Sequence, residues 1–427
     1  MCIRDRVILA SPKTEIETKP KEGAIRVLFL GHDSEHHNSN KYYPMLAKGL
    51  GRDAIYFDYV TSVEEALGDA TFLGKFDALL LYANHGTITP NQWKNLKDYV
   101  EGGGGFVPVH CASWCFGNEP GFDQLVGGRF DSHKVGTFTA KVVDNQHPAM
   151  KGVKEFEAWD ETYKHKNHNE KDRQVLMVRE VAGKDDNITE PEPWTWVRTQ
   201  GKGRVFYTAS GHDERVWKQP AFHQLLKAGI LWSVGKERKQ SYEEFIAERA
   251  PLKYEKRGDI ANYENRPEPL PYQFPLKAED SMKYTQAPVG FRLELFASEP
   301  DIINPIGLAW DERGRLWAAE TVDYPNEMTP DRVGNDKIKI LEDTDGDGKC
   351  DKVTVFADGL NIPTSLTFSR GGIIVAHVPD FLFLKDTDGD DKADVREVLN
   401  TGWGTGDTHA GPSNLRYGFD NWIWGAV

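Results

Sequence analysis

The sequence predicts two folded parts, an α/β domain with a parallel sheet over residues 23–236 and an all-β propeller over residues 289–427. Predicted strands and helices alternate as far as Val234, an order typical of a parallel sheet with right-handed crossovers. Beyond Phe291 the pattern changes to short strands and tight turns. An acidic element also recurs there after 43 residues, a period typical of propeller blades.

The first part begins with Ile25–Leu30, whose continuous apolar character is typical of a strand covered on both faces. Helices are predicted near Lys41–Leu50 and at Gln219–Val234. Another runs from Thr89-Pro90 to Glu101, since threonine caps it and proline takes the first helical position. The remaining strands of this part are predicted at Ala54–Tyr59, Ala78–Tyr82, Phe106–His110, Gly136–Val143, Gln174–Arg179, Trp194–Arg198 and Arg204–Ala209.

Two segments lie outside these folded parts. Residues 1–22 lack the apolar core of a signal peptide, and we expect a non-native or disordered start in place of an export leader. Residues 237–288 combine a charged helix, predicted at Ser241–Ala250, with a proline- and tyrosine-rich stretch. This composition predicts a linker that lies extended over the surface.

The propeller prediction rests on three segments that read as copies of one hairpin, Pro305–Glu320, Pro363–His377 and Gly411–Ala426. Each alternates apolar residues around a turn. About three blades fit before Val427, whereas propellers close with roughly four to eight. We therefore expect a truncated propeller whose further C-terminal blades are missing.

Composition excludes some classes of partner. The formal net charge of −14, with no basic run, argues against binding to nucleic acid or to an anionic membrane surface. The sequence contains no apolar stretch of about 18 residues, so it predicts no transmembrane segment. Twelve tryptophans and fifteen tyrosines suit β-rich folds and carbohydrate surfaces alike.

Histidines give the clearest functional signal in the first part. His32, His85, His110 and His212 each end or follow a predicted strand. Ligands of open α/β sheets bind outside the carboxyl ends of the strands, so we expect these four side chains to converge on one cleft. Nearby loops add His36, His37, His133 and Glu161.

Two chemistries stay open for this cleft. Neutral imidazoles with a carboxylate could hold a divalent metal, or they could serve as acid, base and hydroxyl-binding groups for a sugar. The candidate metal ligands are His37, His110, His133 and His212. The candidate catalytic groups are His110, His212 and Glu161, and the candidate sugar-binding groups are His32, His37, His85 and His133.

Motifs spread over about residues 25–235 resemble the ThuA-like, trehalose-utilisation family. They are Gly31–Asn38, Gly103–His110, Gly127–His133, His147-Pro148, Asp160–Tyr163 and Gly203–His212. The resemblance implies a flavodoxin-like fold of the class I glutamine amidotransferase type. It also implies a link to sugar metabolism, without a firmly established reaction.

Cys111 supports an alternative, an amidotransferase-type hydrolase. It follows the fourth predicted strand, and His212 and Glu214 could complete a cysteine, histidine and glutamate triad. The turn argues against this, because Val109 and Ser113 stand where a nucleophile elbow requires small flanking residues. The simpler interpretation is a buried thiol.

The recurring acidic element resembles a calcium-binding loop. Its carboxylates occupy positions 1, 3, 5 and 9 of such a loop in both copies. Position 12 is Thr354 in the first copy, and position 6 is Asp391 in the second, so neither pattern is complete. The candidate Ca2+ ligands are Asp343, Asp345, Asp347, Asp351, Asp386, Asp388, Asp390 and Asp394.

The segment Thr408–Gly425 resembles soluble quinoprotein glucose and sorbosone dehydrogenases, and Phe291–Val427 resembles the membrane-bound dehydrogenases of planctomycete-type bacteria. The resemblance implies that His409 is the general base that takes the sugar hydroxyl proton. It also implies pyrroloquinoline quinone as the redox cofactor of the complete propeller.

These features together predict a carbohydrate-active protein, exported or periplasmic in a polysaccharide-degrading bacterium. The first part would bind or modify a sugar, and the propeller would act as a sugar oxidoreductase. A second alternative is a non-catalytic carbohydrate-binding module, in which tryptophan-rich surfaces matter and the histidines do not.

Overall fold

The computed structural model describes residues 23–184, 186–259, 271–325, 328–409 and 411–426. The start predicted at residues 1–22 and residues 260–270 of the predicted linker lie outside the described residues. The chain divides into two compact units. The first comprises the residues up to Leu276 together with Lys283–Phe291, and the second comprises Lys277–Met282 and the residues from Arg292 onward.

The first unit contains the strands β1 to β14, most of which are short. They are β1 (Ile25–Leu30), β2 (Ile55–Val60), β3 (Ala78–Leu81), β4 (Gly105–Pro108), β5 (Arg129–Ser132), β6 (Val135–Thr139), β7 (Lys141–Val142), β8 (Glu157–Glu161), β9 (Lys164–Lys166), β10 (Arg173–Arg179), β11 (Glu192–Gln200), β12 (Gly203–Thr208), β13 (Tyr254–Glu255) and β14 (Tyr272–Gln273).

The central sheet is mixed, whereas the alternating pattern predicted a parallel one. Its order is β2-β1-β3-β4-β12-β11-β10-β7. Neighbours from β2 to β12 run parallel, and those from β12 to β7 run antiparallel. The reversal begins at the turn Gly201-Lys202 between β11 and β12, because two residues between strands permit a hairpin but not a crossover.

Two predicted strands also differ in the structure. The predicted strand Gly136–Val143 is divided into β6, which pairs with β8, and β7, which pairs with β10. The strand predicted to reach His110 ends at Pro108. His110 has a left-handed φ of +50° and opens the 3-10 helix His110–Trp114, so the chain leaves the extended conformation there.

Helices α1 and α7 pack against the central sheet, with α1 on β2 and α7 on β4 and β12. The threonine cap predicted at the start of α4 is present and is part of a capping box, since Thr89 and Gln92 each bond the other's backbone N–H. The helices of the first unit are α1 (Ser39–Gly51), α2 (Val63–Leu67), α3 (Ala70–Leu73), α4 (Pro90–Glu101), α5 (Pro120–Val126), α6 (Glu214–Trp217), α7 (Pro220–Ser233) and α8 (Lys236–Glu248). A second 3-10 helix spans Pro148–Met150.

The start of the predicted linker is tied to the first unit. The helix predicted at Ser241–Ala250 is α8, and its Tyr242 hydroxyl donates to the Asp53 carbonyl oxygen at 2.7 Å. Arg238 on the same helix lies 2.9 Å from the buried Asp77 carboxylate. These contacts place α8 in the fold of the first unit.

The second unit consists mainly of small antiparallel sheets. Two have four strands each, β15-β16-β17-β18 and β19-β20-β21-β22, and a third is the hairpin β23-β24. The described residues form no closed propeller. The elements of this unit are α9 (Ala278–Met282), β15 (Pro305–Trp310), β16 (Leu316–Glu320), β17 (Asp336–Glu342), β18 (Lys352–Leu360), β19 (Ser365–Ser369), β20 (Gly372–His377), β21 (Asp380–Lys385), β22 (Val395–Thr401), β23 (Ser413–Tyr417) and β24 (Ile423–Ala426).

The three predicted hairpins correspond to β15-β16, β19-β20 and β23-β24. The predicted acidic loops connect β17 with β18 and β21 with β22. Within the described parts of the chain, no helix is both long enough and apolar enough to cross a bilayer.

Candidate metal centre

Glu161, the last residue of β8, lies at the centre of a histidine cluster, and its side chain is only 4% exposed. Its Oε2 atom lies 3.1 Å from His110 Nε2 and 3.4 Å from His37 Nε2. Its Oε1 atom lies 3.3 Å from His212 Nδ1 and 3.5 Å from His133 Nε2. One buried carboxylate therefore faces four imidazoles from four separate segments of the chain.

Four of these side chains are spaced as a metal-ligand set. One donor atom from each of His37, His110, His212 and Glu161 lies within 4.8 Å of the other three. His37 Nε2 and His212 Nδ1 are buried, and their approach to Glu161 does not meet hydrogen-bond geometry. Three imidazole nitrogens and one carboxylate oxygen suit Zn2+ and similar divalent transition metals.

His110 is held in one orientation by its surroundings. Its Nδ1–H donates to the Ala209 carbonyl oxygen at 2.6 Å, so in the neutral ring Nε2 carries the lone pair. Tyr163 stacks on the ring, with 4.2 Å between the centroids. Metal-ligating histidines are oriented in this way, by a hydrogen bond from the other ring nitrogen.

His37 is oriented by a similar contact. Its Nδ1 lies 3.0 Å from Asn84 Oδ1, and donation to that oxygen leaves the Nε2 lone pair facing Glu161. His32 supports this loop, since its Nε2–H donates to the His37 carbonyl oxygen at 2.9 Å. The Asn84 backbone N–H in turn donates to His32 Nδ1 at 3.3 Å.

Asp160 fixes the other two members of the set through their backbone. Its Oδ1 accepts the N–H groups of Glu161 at 2.8 Å and His212 at 3.1 Å. Its Oδ2 accepts the Gly211 N–H at 3.0 Å. Burial raises the pKa of Asp160 to about 7, although these three hydrogen bonds favour the carboxylate.

The charges in the cluster are strongly coupled. Burial alone would raise the pKa of Glu161, but the contacts with His110, His212 and His37 hold that pKa far below its usual range. Burial lowers the pKa of His110 to about 4. Burial also acts to lower the pKa of His212, but Glu161 outweighs it and leaves that pKa raised above 6.5. Burial therefore favours the neutral form of His110, whereas the Glu161 carboxylate favours the protonated form of His212.

The other predicted residues of the cleft have different surroundings. His85 Nε2–H donates to the Gly31 carbonyl oxygen at 2.9 Å, so His85, like His32, bonds the backbone. His133 lies at the edge of the cluster, outside the four-residue donor set, and its side chain is 37% exposed. His36 is exposed, and its ring lies 3.9 Å from that of His37.

The alternative triad is not assembled. His212 faces Glu161, whereas Glu214 forms ion pairs with Lys41 and Lys218 at the surface. Cys111 is fully buried, and burial raises the pKa of its thiol well above the ordinary value. A nucleophilic cysteine requires the opposite shift and an adjacent base.

The acidic loops bring carboxylates together without a further sign of an ion. Oxygens of Asp343, Asp345 and Asp347 lie within 4.8 Å of one another, as do those of Asp386, Asp388 and Asp394. Asp351 accepts from Thr344, and Asp390 accepts the backbone N–H of Lys392 at 2.9 Å. Calcium binding by these loops stays a prediction.

His409, the predicted base of the second unit, is exposed to solvent. Its Nδ1 lies 3.1 Å from Asp407 Oδ1, and its ring lies 5.4 Å from that of Tyr324. A carboxylate in this position can orient an imidazole. A role beside a quinone stays a prediction.

Three residues that shape the cluster were not among the predicted site residues: Asn84, Asp160 and Tyr163. Asp160 and Tyr163 flank Glu161 within the motif Asp160–Tyr163, so the motif itself contained the signal. Asn84 directly precedes His85 after β3, and its position beside a predicted strand end was the only sign of its role.

Comparison with known families agrees with the ThuA resemblance. Residues 26–233 match the family model ThuA, described as trehalose utilisation. Residues 277–427 match DUF7133, a domain of unknown function. The first unit is thus a ThuA-like α/β domain, related at family level to carbohydrate utilisation. The DUF7133 match does not confirm the dehydrogenase resemblance of the second unit.

Similar solved structures cover about half of the chain. A ThuA-like protein of Bacteroides uniformis is 20% identical, with a TM-score of 0.42, over 52% of this chain and 95% of the other. A ThuA-like protein of Parabacteroides merdae is 19% identical, with a TM-score of 0.44, over 49% and 90%. No curated protein matches the chain.

Proposed function

We propose that the first unit holds a divalent transition metal through His37, His110, His212 and Glu161 and acts on a carbohydrate at that site. One observation supports the metal above all. Nδ1 of His37 and of His110 each donate to a fixed acceptor, so both Nε2 lone pairs face the Glu161 carboxylate. A cation bound between these atoms would be coordinated by both nitrogens and by the carboxylate.

The carbohydrate is supported by the trehalose-utilisation family match. Sugars offer hydroxyl and carbonyl oxygens, which a bound divalent metal polarises and makes easier to deprotonate or attack. His133 stands outside the donor set at the exposed edge, where it can exchange a proton with a bound sugar. We therefore favour a metal-dependent lyase, isomerase or hydrolase over a plain binding module.

Metal analysis of the full chain, purified without chelators or a histidine tag, tests this proposal. We expect about one metal ion per chain in the wild type and loss of that ion in His110→Ala and in His212→Ala. His223→Ala is the matched control. His223 is a half-buried histidine whose Nε2 bonds the Trp217 carbonyl oxygen, and it lies outside the donor set.

Two outcomes would overturn the proposal. If the wild-type chain stays metal-free after incubation with Zn2+, Mn2+ and Co2+, acid–base chemistry without a metal or plain sugar binding would be the remaining functions. Equal metal content in the wild type and both cluster variants would place the ion elsewhere. Screening the loaded chain against disaccharides and their oxidised derivatives then tests the carbohydrate part.

We further propose that the second unit supplies blades of a sugar dehydrogenase-like propeller with His409 as base. The repetition of one sheet plan supports this, since both four-stranded sheets place an acidic loop between their third and fourth strands. Titration of the chain with pyrroloquinoline quinone, with and without Ca2+, tests it. Quinone binding that His409→Ala weakens supports the proposal, and quinone binding that His409→Ala leaves unchanged contradicts the role of His409.

A further inference from the structure

A line of buried polar side chains runs behind the cluster and ends on the backbone of His110. Glu192 Oε1 lies 2.8 Å from His165 Nδ1 and also accepts the His165 backbone N–H at 3.0 Å. His165 Nε2 lies 2.9 Å from the Tyr207 hydroxyl oxygen. That oxygen lies 3.1 Å from the His110 carbonyl oxygen and 3.0 Å from Ser113 Oγ.

All four supporting residues, Ser113, His165, Glu192 and Tyr207, are buried. Burying so many polar groups is costly unless each finds a partner, and a satisfied network makes the surrounding structure rigid. None of the four belongs to the donor set around Glu161. The network therefore needs an explanation other than direct contact with a ligand.

The number of protons available determines which group donates each hydrogen bond in the network. The Tyr207 hydroxyl donates its single proton to the His110 carbonyl oxygen, so its own oxygen accepts from His165 Nε2–H. His165 Nδ1 shares a further proton with Glu192 Oε1, and Ser113 Oγ–H donates to the same His110 carbonyl at 3.1 Å. Glu192 thus orients His165, and His165 orients Tyr207.

The end of the network coincides with an unusual backbone position. His110 has φ of +50°, a left-handed conformation that non-glycine residues adopt at a cost. The same residue presents Nε2 to Glu161. Hydrogen bonds that hold the His110 carbonyl therefore also determine where its imidazole points.

We propose that His165, oriented by Glu192, is a positioning residue of the metal centre and acts through Tyr207 on His110. This inference rests on the proposed metal site. It assigns a role to a histidine and a tyrosine that touch neither metal nor substrate.

The test uses the full chain with Tyr207→Phe, His165→Leu and the double variant. Tyr207→Phe keeps the ring that packs on Trp196 and removes only the hydroxyl, so it is the mildest change. We expect each variant to bind Co2+ and Zn2+ 10- to 100-fold more weakly, the range typical when groups that orient metal ligands are removed. The visible absorption of bound Co2+ should shift as well.

Two comparisons separate positioning from plain stability. Tyr242→Phe removes one buried hydroxyl bond in α8 and should leave metal affinity and the Co2+ spectrum unchanged. Because His165 and Tyr207 act in series, the double variant should lose no more affinity than the worse single variant. His165→Gln, whose amide can donate and accept, should recover part of the loss.

A wild type that binds no metal would overturn the proposed function and this inference with it. A wild type that binds metal, beside folded Tyr207→Phe and His165→Leu variants with unchanged affinity and Co2+ spectra, would overturn this inference alone. Variants that lose only thermal stability would give the network a structural role and equally contradict positioning.

Discussion

Glu161 is the single carboxylate that four imidazoles approach, and two of those rings are fixed by other contacts. In their neutral forms His37 and His110 present lone pairs to it, and His212 Nδ1 lies 3.3 Å from its Oε1. The cluster is therefore arranged around one negative charge. Removing that charge should therefore change the contacts of all four imidazoles.

Glu161→Gln tests the role of this carboxylate most directly, because the substitution preserves the size of the side chain while removing its charge. We expect at least a 100-fold loss of Zn2+ affinity, since an amide is a much poorer ligand than a carboxylate. Competition titration against a chromogenic chelator measures it. Glu157→Gln, an exposed change on the same strand, is the control, and equal affinities in wild type and Glu161→Gln would contradict the assignment.

Metal affinity should rise with pH. His212 has a pKa raised above 6.5, and a metal must displace the proton from its Nδ1. Below that pKa the proton competes, so the association constant should increase roughly tenfold per pH unit and level off once His212 is neutral. His110, with a pKa of about 4, stays neutral in this range. Zn2+ titrations from pH 5.5 to 8.5 measure this slope, and a flat profile would exclude His212.

Much of the site at residue scale was accessible from sequence, because strand ends of an α/β sheet share one edge. His37, His110, His212 and Glu161 were all named as candidates from that rule and from family motifs. The sequence did not show that His32 and His85 play a different role from these four residues. Each of those two rings bonds a backbone carbonyl oxygen, and only the folded loops determine that contact.

At the scale of elements, the site depends on the contact between the 3-10 helix that begins at His110 and the loop after β12. Gly211 in that loop has φ of +137°, and a Cβ there would lie 3.2 Å from His110 Cβ. Both the conformation and the space require glycine.

Gly211→Ala should therefore cost about 1–3 kcal/mol in the free energy of unfolding and weaken metal binding through displacement of His110. Urea denaturation and Zn2+ titration measure the two effects. Gly136→Ala serves as control, because a Cβ on that glycine in β6 meets nothing within 4 Å. Unchanged metal affinity in a folded Gly211→Ala variant would show that this contact does not position His110.

Hydrophobic periodicity predicted the existence of most strands, and capping residues predicted α4. It did not predict the antiparallel half of the sheet or the division between β6 and β7. Strand direction follows from turn length, here the two residues Gly201-Lys202. The division follows from pairing with partners distant in sequence, which a local pattern does not record.

At the scale of the whole molecule, the chain has two compact units with different chemistry. The change from alternating helices and strands to short strands alone predicted this division. The propeller remains a prediction, because blade closure depends on contacts between sheets that no sequence repeat specifies. The proposed metal site at Glu161 lies in the first unit.

Calorimetry should therefore show two unfolding transitions, and Zn2+ should raise only the one that belongs to the first unit. At 100 times the dissociation constant, the stabilisation should be about 2.7 kcal/mol. The His110→Ala variant identifies the transition, because its shift should disappear. A shift of both transitions by the same amount would mean that the units unfold together or that the metal binds elsewhere.

X-ray absorption at the zinc edge of the loaded chain tests the central assignment most directly. We expect a first coordination shell of nitrogen and oxygen at about 2.0–2.1 Å, with the outer-atom scattering of three imidazoles. Replacing His37, His110 or His212 singly should remove one imidazole contribution. A sulfur ligand near 2.3 Å, or a shell of oxygens without imidazole, would contradict the site at Glu161.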